Sequence, residues 1–215
     1  MSINHRLLKI IDSIPSNVSL VAVSKTKSSD QIRQAYDAGQ RIFGENKVQE
    51  LVEKAALLPN DIQWHMIGHL QTNKVKYIAP FVSLIQAVDS KKLILEINKR
   101  AQQNNRTICC LLQLKIAKED SKYGLSKDEL FSLNSMPLPH VKIVGIMGMA
   151  TNTDNILQIQ SEFKYLKSVF DQLNTINPHI TILSMGMSGD YEIAIDQGSN
   201  MIRLGSSIFG KRATL

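Results

Sequence analysis

Eight short apolar runs recur along the chain, each followed by a segment of helical spacing, and no hairpin turn joins one to the next. Strands linked only through such segments must run parallel, and right-handed crossovers then leave few folds open. The first run is Val18-Ser19-Leu20-Val21-Ala22-Val23-Ser24-Lys25-Thr26-Lys27, rich in valine and closed by polar residues. The others span residues 41–44, 62–67, 84–88, 107–116, 141–147, 180–183 and 200–204. Helices are expected at 3–14, where Pro15 stops the pattern, from Ser28-Ser29-Asp30 to Ala38 before Gly39, to about residue 58, and at 90–103, 126–133, 155–173 and 191–197. A closed (β/α)8 barrel of the TIM type with an extra N-terminal helix is the expected fold, and an open doubly wound sheet is the alternative. A length of 215 residues suits a single domain spanning residues 1–215. No Gly-x-Gly-x-x-Gly follows the first strand, which counts against a dinucleotide site.

A strand buried on both faces would carry Lys25 at its C-terminal end, where barrels bind their ligands. There, apolar neighbours would strip an amine of hydration, lower its pKa and ready it to form a Schiff base. Taken alone, a lysine at this place reads more simply as a solvated loop residue.

Composition narrows the function classes. With 43% hydrophobic and 20% charged residues the chain resembles an ordinary globular protein, without an apolar run long enough to span a membrane. Its start, Met1-Ser2-Ile3-Asn4-His5-Arg6, lacks the apolar core of a signal peptide, so a cytoplasmic address is expected. Cys109 and Cys110 are adjacent in a predicted strand, point to opposite faces and are read as reduced core residues. A net charge of +6 is spread along the chain, and Lys74-Val75-Lys76 and Lys91-Lys92 read as solvated faces. Neither a nucleic acid nor a membrane is an expected partner.

Two late loops suit an anion. Ser184-Met185-Gly186-Met187-Ser188-Gly189-Asp190 follows the seventh strand, and Arg203-Leu204-Gly205-Ser206-Ser207-Ile208-Phe209-Gly210 surrounds the end of the eighth. Small residues let backbone N–H groups approach an oxyanion, and barrels often bind phosphate in these two loops. Strands one and eight are neighbours in a closed barrel, so a Schiff-base lysine would meet a phosphate cup. That pairing describes a pyridoxal-phosphate site. Arg203 can face the pyridine ring, and because it keeps its proton it would leave the ring nitrogen unprotonated and a weaker electron sink.

Together, Val21-Ala22-Val23-Ser24-Lys25-Thr26, Phe43-Gly44-Glu45-Asn46, Trp64-His65-Met66-Ile67-Gly68-His69-Leu70-Gln71-Thr72-Asn73-Lys74, 184–188 and 203–210 give the chain a specific resemblance to the YggS/PROSC family of pyridoxal-phosphate homeostasis proteins, along nearly its whole length. The resemblance implies the barrel of the alanine racemase N-terminal domain, covalent binding of pyridoxal 5'-phosphate, and a part in cofactor and amino-acid homeostasis without an established reaction. By it Lys25 corresponds to the Schiff-base lysine, Ser188 with the backbone of Gly205 and Ser206 to the phosphate cup, and Arg203 to the partner of the pyridine nitrogen. Asn46 and His65 fall in matching motifs and are expected to line the pocket. Ser206 replaces a common threonine, and Lys115 stands where asparagine is expected.

His65-x-x-x-His69 has metal-ligand spacing, but Met66 occupies the place of the glutamate base, so both histidines read as pocket or loop residues. Trp64 reads as core or pocket wall, and Met147, Met149, Met185 and Met187 as packing. Lys122, in Glu119-Asp120-Ser121-Lys122-Tyr123-Gly124, is a candidate neighbour of the site. The expected function is to hold the cofactor on a lysine and release or deliver it, with apo forms of pyridoxal-phosphate enzymes as candidate recipients and a monomer as the expected state. The alternatives are an amino-acid racemase of low activity and an aldolase-type barrel. Racemisation needs acid/base groups on both faces of the substrate carbon, and no tyrosine offers an evident second group.

Overall fold

The computed structural model describes residues 2–119 and 123–210. In chain order the strands are β1 (Ser19–Val23), β2 (Ile42–Glu45), β3 (Gln63–Met66), β4 (Leu84–Val88), β5 (Ile108–Gln113), β6 (Val141–Met147), β7 (Ile182–Ser184) and β8 (Met201–Leu204). The helices are α1 (Ile3–Ser13), α2 (Ser29–Asp37), α3 (Val48–Leu57), α4 (Val75–Ile78), α5 (Lys91–Gln103), α6 (Lys127–Asn134), α7 (Ile156–Ile176), α8 (Tyr191–Asp196) and α9 (Ser206–Phe209). The strands pair in parallel in the order β1 to β8 and close, β1 against β8, into a (β/α)8 barrel preceded by α1.

Local chemistry sets the helix starts. Ser28 and Ser126 each accept from the backbone three residues on while Gln31 and Glu129 reach back, two capping boxes that satisfy otherwise orphaned N–H groups. Gly39, at φ +102°, takes the left-handed turn after α2 that a side chain would resist. Two apolar layers then lock the barrel. Val21, Leu84, Ala87, Leu111, Met147 and Met201 fill its interior. Outward-facing residues such as Ala22, Phe43, Ile85, Cys110 and Ile202 join the helices in a second layer.

Among the differences from the sequence reading, three concern two strands and one helical turn. The fifth strand, expected over 107–116, ends at Gln113 because Leu114 leaves the ladder for an isolated bridge to Leu125. The seventh, expected over 180–183, begins at Ile182 and includes Ser184, which is buried rather than part of the following loop. Residues 206–209, expected as loop, form the single turn α9. Trp64 lies in the outer core, its ring centroid 6.0 Å from that of Phe43.

Candidate functional site

The C-terminal ends of β1, β2, β7 and β8 open onto a cavity of about 390 Å³. Lys25, Asn46, Ser188, Arg203, Gly205 and Ser206 all line it. So do Lys27 and the apolar side chains of Val23, Ile67, Met149 and Met187. Among the described residues the wall therefore carries three cations, Lys25, Lys27 and Arg203, and no carboxylate. Met149 and Met187, read from sequence as packing alone, are part of that wall. Lys122 lies outside the described residues.

Each lining group is held by identifiable neighbours. The parallel register Val21↔Arg203 and Ala22↔Leu204 brings the Lys25 and Arg203 strands together. Asn46 is fixed from below by a close backbone approach: a Cβ on Gly68 would stand 2.5 Å from the Asn46 carbonyl oxygen, so only glycine fits. Ser188 Oγ accepts the backbone N–H of Gly205 at 3.2 Å and of Ser207 at 3.4 Å, tying the loop after β7 to the start of α9. Asp190 closes the same loop, accepting from Met187 N. Burial raises the Asp190 carboxyl above its ordinary value.

Arg203 is 4% exposed, and Nη1 donates to Ser184 Oγ at 2.5 Å while Nη2 donates to the Gly148 carbonyl at 3.1 Å. Burial lowers its pKa to about 10, partly offset by the field of Asp190, so it stays charged at neutral pH. Two of its five N–H donors are engaged in these bonds, which leaves others to serve the cavity.

His65 is not among the lining residues. It lies 4% exposed inside the barrel, beneath the mouth. A chain of side chains connects it to the site: Arg203 donates to Ser184, Ser184 Oγ donates to Gln86 Oε1 at 2.7 Å, and Gln86 Nε2 stands 3.0 Å from His65 Nδ1. Each member can donate in one direction only if His65 Nδ1 is an acceptor, so the imidazole must be neutral. Burial lowers its pKa to about 3, which keeps it so. Ser184 and Gln86 were missed as site residues because the contact between them spans 98 positions in sequence. His69 lies elsewhere, with Nδ1 2.7 Å from Asp89 and its ring stacked on Tyr123 at 4.0 Å. Among the described residues no group of three or more His, Cys, Asp and Glu side chains could hold a metal ion.

An amine, two further cations and a hydroxyl-bearing loop pair at the mouth of a parallel barrel suit a phosphorylated ligand with an electrophilic carbon. Residues 1–213 match the alanine racemase N-terminal domain family. The chain is 40% identical over 200 residues to the pyridoxal phosphate homeostasis protein of Aquifex aeolicus, covering 90% of this chain and 86% of that one. It belongs to the family of pyridoxal phosphate homeostasis proteins. A solved relative, PipY of Synechococcus elongatus PCC7942 with PLP bound, superposes with a TM-score of 0.88 at 34% identity, covering 97% of this chain and all of PipY. An alanine racemase of Clostridium difficile 630 shares the fold at 14% identity and TM-score 0.80, and this chain spans 56% of it.

Proposed function

We propose that the chain holds pyridoxal 5'-phosphate in the mouth of its barrel and maintains intracellular levels of that cofactor and of amino acids. The observation that carries this is the cavity wall of Lys25, Lys27 and Arg203, with no carboxylate among the described residues that line it. The donor set fits the molecule part by part. Ser188, Ser206, the Gly205 backbone and Lys27 suit a phosphate dianion, Lys25 is the primary amine an aldehyde requires, and Arg203 can donate to a pyridine nitrogen. Asn46 supplies a neutral polar wall. When bound, the cofactor supplies an aldehyde reactive towards amines and an electron-withdrawing ring.

The protein's own groups favour holding over turnover. Arg203 retains its proton against a ring nitrogen and so does not strengthen the ring as an electron sink. His65 acts on the cofactor only through Gln86, Ser184 and Arg203, as the terminal acceptor that fixes where the guanidinium points. In the same reading the chain is one domain over residues 1–215, acts as a monomer in the cytoplasm and passes its cofactor to apo forms of pyridoxal-phosphate enzymes. Among the described residues, no helix is long and apolar enough to cross a membrane.

The test is to incubate the apo protein with pyridoxal phosphate, reduce with borohydride and locate the added mass by peptide mapping. Attachment at Lys25, lost in Lys25→Ala while cooperative unfolding persists, is the expected result. Attachment elsewhere, or an unchanged visible spectrum in Lys25→Ala, rejects the assignment. Transfer to an apo-enzyme that continues in the presence of a trap for free cofactor tests direct delivery.

A further inference from the structure

The charged side chains buried behind Lys25 are not used by the reading above. Lys54, on α3, is 8% exposed and Glu45, at the end of β2, is fully buried. Lys54 Nζ donates to Glu45 Oε1 at 2.7 Å, to the Ser24 carbonyl at 2.9 Å and to Glu50 Oε2 at 3.1 Å. Ser24 Oγ donates to the same Glu45 oxygen at 2.6 Å. Glu50 Oε2 in turn accepts the Thr26 backbone N–H at 2.8 Å. Ser24 and Thr26 are the two chain neighbours of Lys25, so the cluster grips the backbone on both sides of it.

That grip is costly. Two carboxylates face one ammonium, and Glu45 Oε2 is buried with no hydrogen-bond partner among the described residues. Burial holds the Glu45 carboxyl above its ordinary value, although Lys54 and Ser24 both pull it down. Burial also pushes Glu50 up, but the Thr26 N–H and Lys54 outweigh it and leave Glu50 below its usual range. Thr26 itself sits at φ +63°, a left-handed conformation that a β-branched residue rarely adopts without external restraint. A barrel core of apolar residues would need none of this, since replacing a buried ion pair by packed hydrophobic groups is often neutral or stabilising.

The geometry points to Glu45, Lys54 and Glu50 as positioning residues for Lys25: by fixing Ser24 and Thr26 they set where its amine stands in the cavity, and so how readily it condenses with an aldehyde. This rests on the reading of the cavity as a pyridoxal-phosphate site. The condensation forms a C=N bond from the Lys25 amine and the aldehyde carbon, with loss of water. The cluster acts through the Ser24 carbonyl and the Thr26 N–H.

Glu50 is the side chain to change, since it is the most exposed of the three and its removal leaves Glu45 and Lys54 paired. Two ligands separate positioning from general damage. Pyridoxal 5'-phosphate reports condensation, while pyridoxamine 5'-phosphate has an amine in place of the aldehyde and reports only the phosphate and ring contacts. Glu50→Ala should slow borohydride-trapped attachment to Lys25 about tenfold, as for loss of one hydrogen bond to a charged group, with the pyridoxamine phosphate Kd unchanged. Glu50→Gln keeps an acceptor for the Thr26 N–H and should restore the rate. Should Glu50→Ala fail to fold, Glu50→Asp keeps the charge but draws the carboxylate back from the Thr26 N–H and should show the same split. Equal weakening of both ligands, no rescue by Glu50→Gln, or an attachment rate equal to wild type in the folded variant overturns the inference. If wild type binds neither ligand, the reading of the cavity fails as well, whereas normal wild-type attachment with an unaffected variant removes only the positioning role.

Discussion

Acidification should destabilise this barrel through His65, and the size of the effect follows from the structure. Burial brings its pKa from 6.5 to about 3 in the fold. In the unfolded chain the imidazole takes up its proton near the ordinary value of about 6.5. A group whose folded pKa is depressed contributes stability that is present above the unfolded pKa and is lost as pH falls towards the folded one. The window is therefore pH 6.5 down to about 3. Within it the unfolded state binds about one proton more than the native state, a slope near 1.4 kcal/mol per pH unit, which integrates to about 2 kcal/mol between pH 6.5 and about pH 4.5. The assay is denaturant unfolding at several pH values for wild type and His65→Leu. The variant should start less stable, because Gln86 Nε2 keeps only the Met201 sulfur at 3.3 Å, but its stability should fall less steeply. Carboxylates titrate in both proteins, so the difference in slope isolates the histidine. Parallel curves over this range would refute the argument, showing that His65 is protonated in the fold or solvated.

Other perturbations should separate the parts of the site. Ser188→Ala is expected to weaken cofactor binding by about 2 kcal/mol, within the range for a hydrogen bond to a charged group, and Arg203→Glu by more, with equilibrium titration as the measurement; wild-type affinity in Arg203→Glu would show that the side chain does not serve the ring. Gly68→Ala should displace Asn46, since the new Cβ would meet its backbone at 2.5 Å, and its expected signature is a lower Tm with altered ligand affinity. Exchange of the α-proton of L- and D-alanine in deuterated water should be marginal, a deficit of roughly 10²–10⁴-fold for a missing acid/base group. Tyr36 OH donates to Asp61, Tyr191 OH to Glu192, and Tyr123 stacks on His69, none of them lining the cavity. Fast exchange that disappears in Tyr123→Phe or Tyr191→Phe would identify a base and reverse this view.

Much of the architecture is written in local pattern. β4 and β6 fall where the apolar runs of 84–88 and 141–147 place them, because strands buried largely on both faces leave a nearly continuous apolar signature, broken here by Gln86 and Lys142. The lining residues from the β1, β7 and β8 ends were legible for a similar reason: strand-end lysine, arginine and glycine-serine loops are conspicuous against a valine-rich background. The supporting groups were not. Nothing in the local pattern singles out Lys54, and only the fold carries it into contact with Ser24 and Glu45. Gln86 lies in an otherwise apolar strand, and its role depends on Ser184 and His65 arriving from other strands. His65 sits in a motif whose pattern marks it as important without indicating its depth, which is why it was expected in the cavity wall and lies under it.

The bond between the two phosphate-side loops bears on how an anion could leave. In many anion cups, donors on successive backbone N–H groups converge on open space, and a departing ligand strands them until water arrives. Here the N–H groups of Gly205 and Ser207 already rest on Ser188 Oγ. The Ser188 oxygen holds the place of an anion, so the two donors are paired before a phosphate takes over the Gly205 N–H and can be paired again once it leaves. In the proposed function the same oxygen would close the loop after each departure, so emptying the cup leaves neither N–H group unpaired.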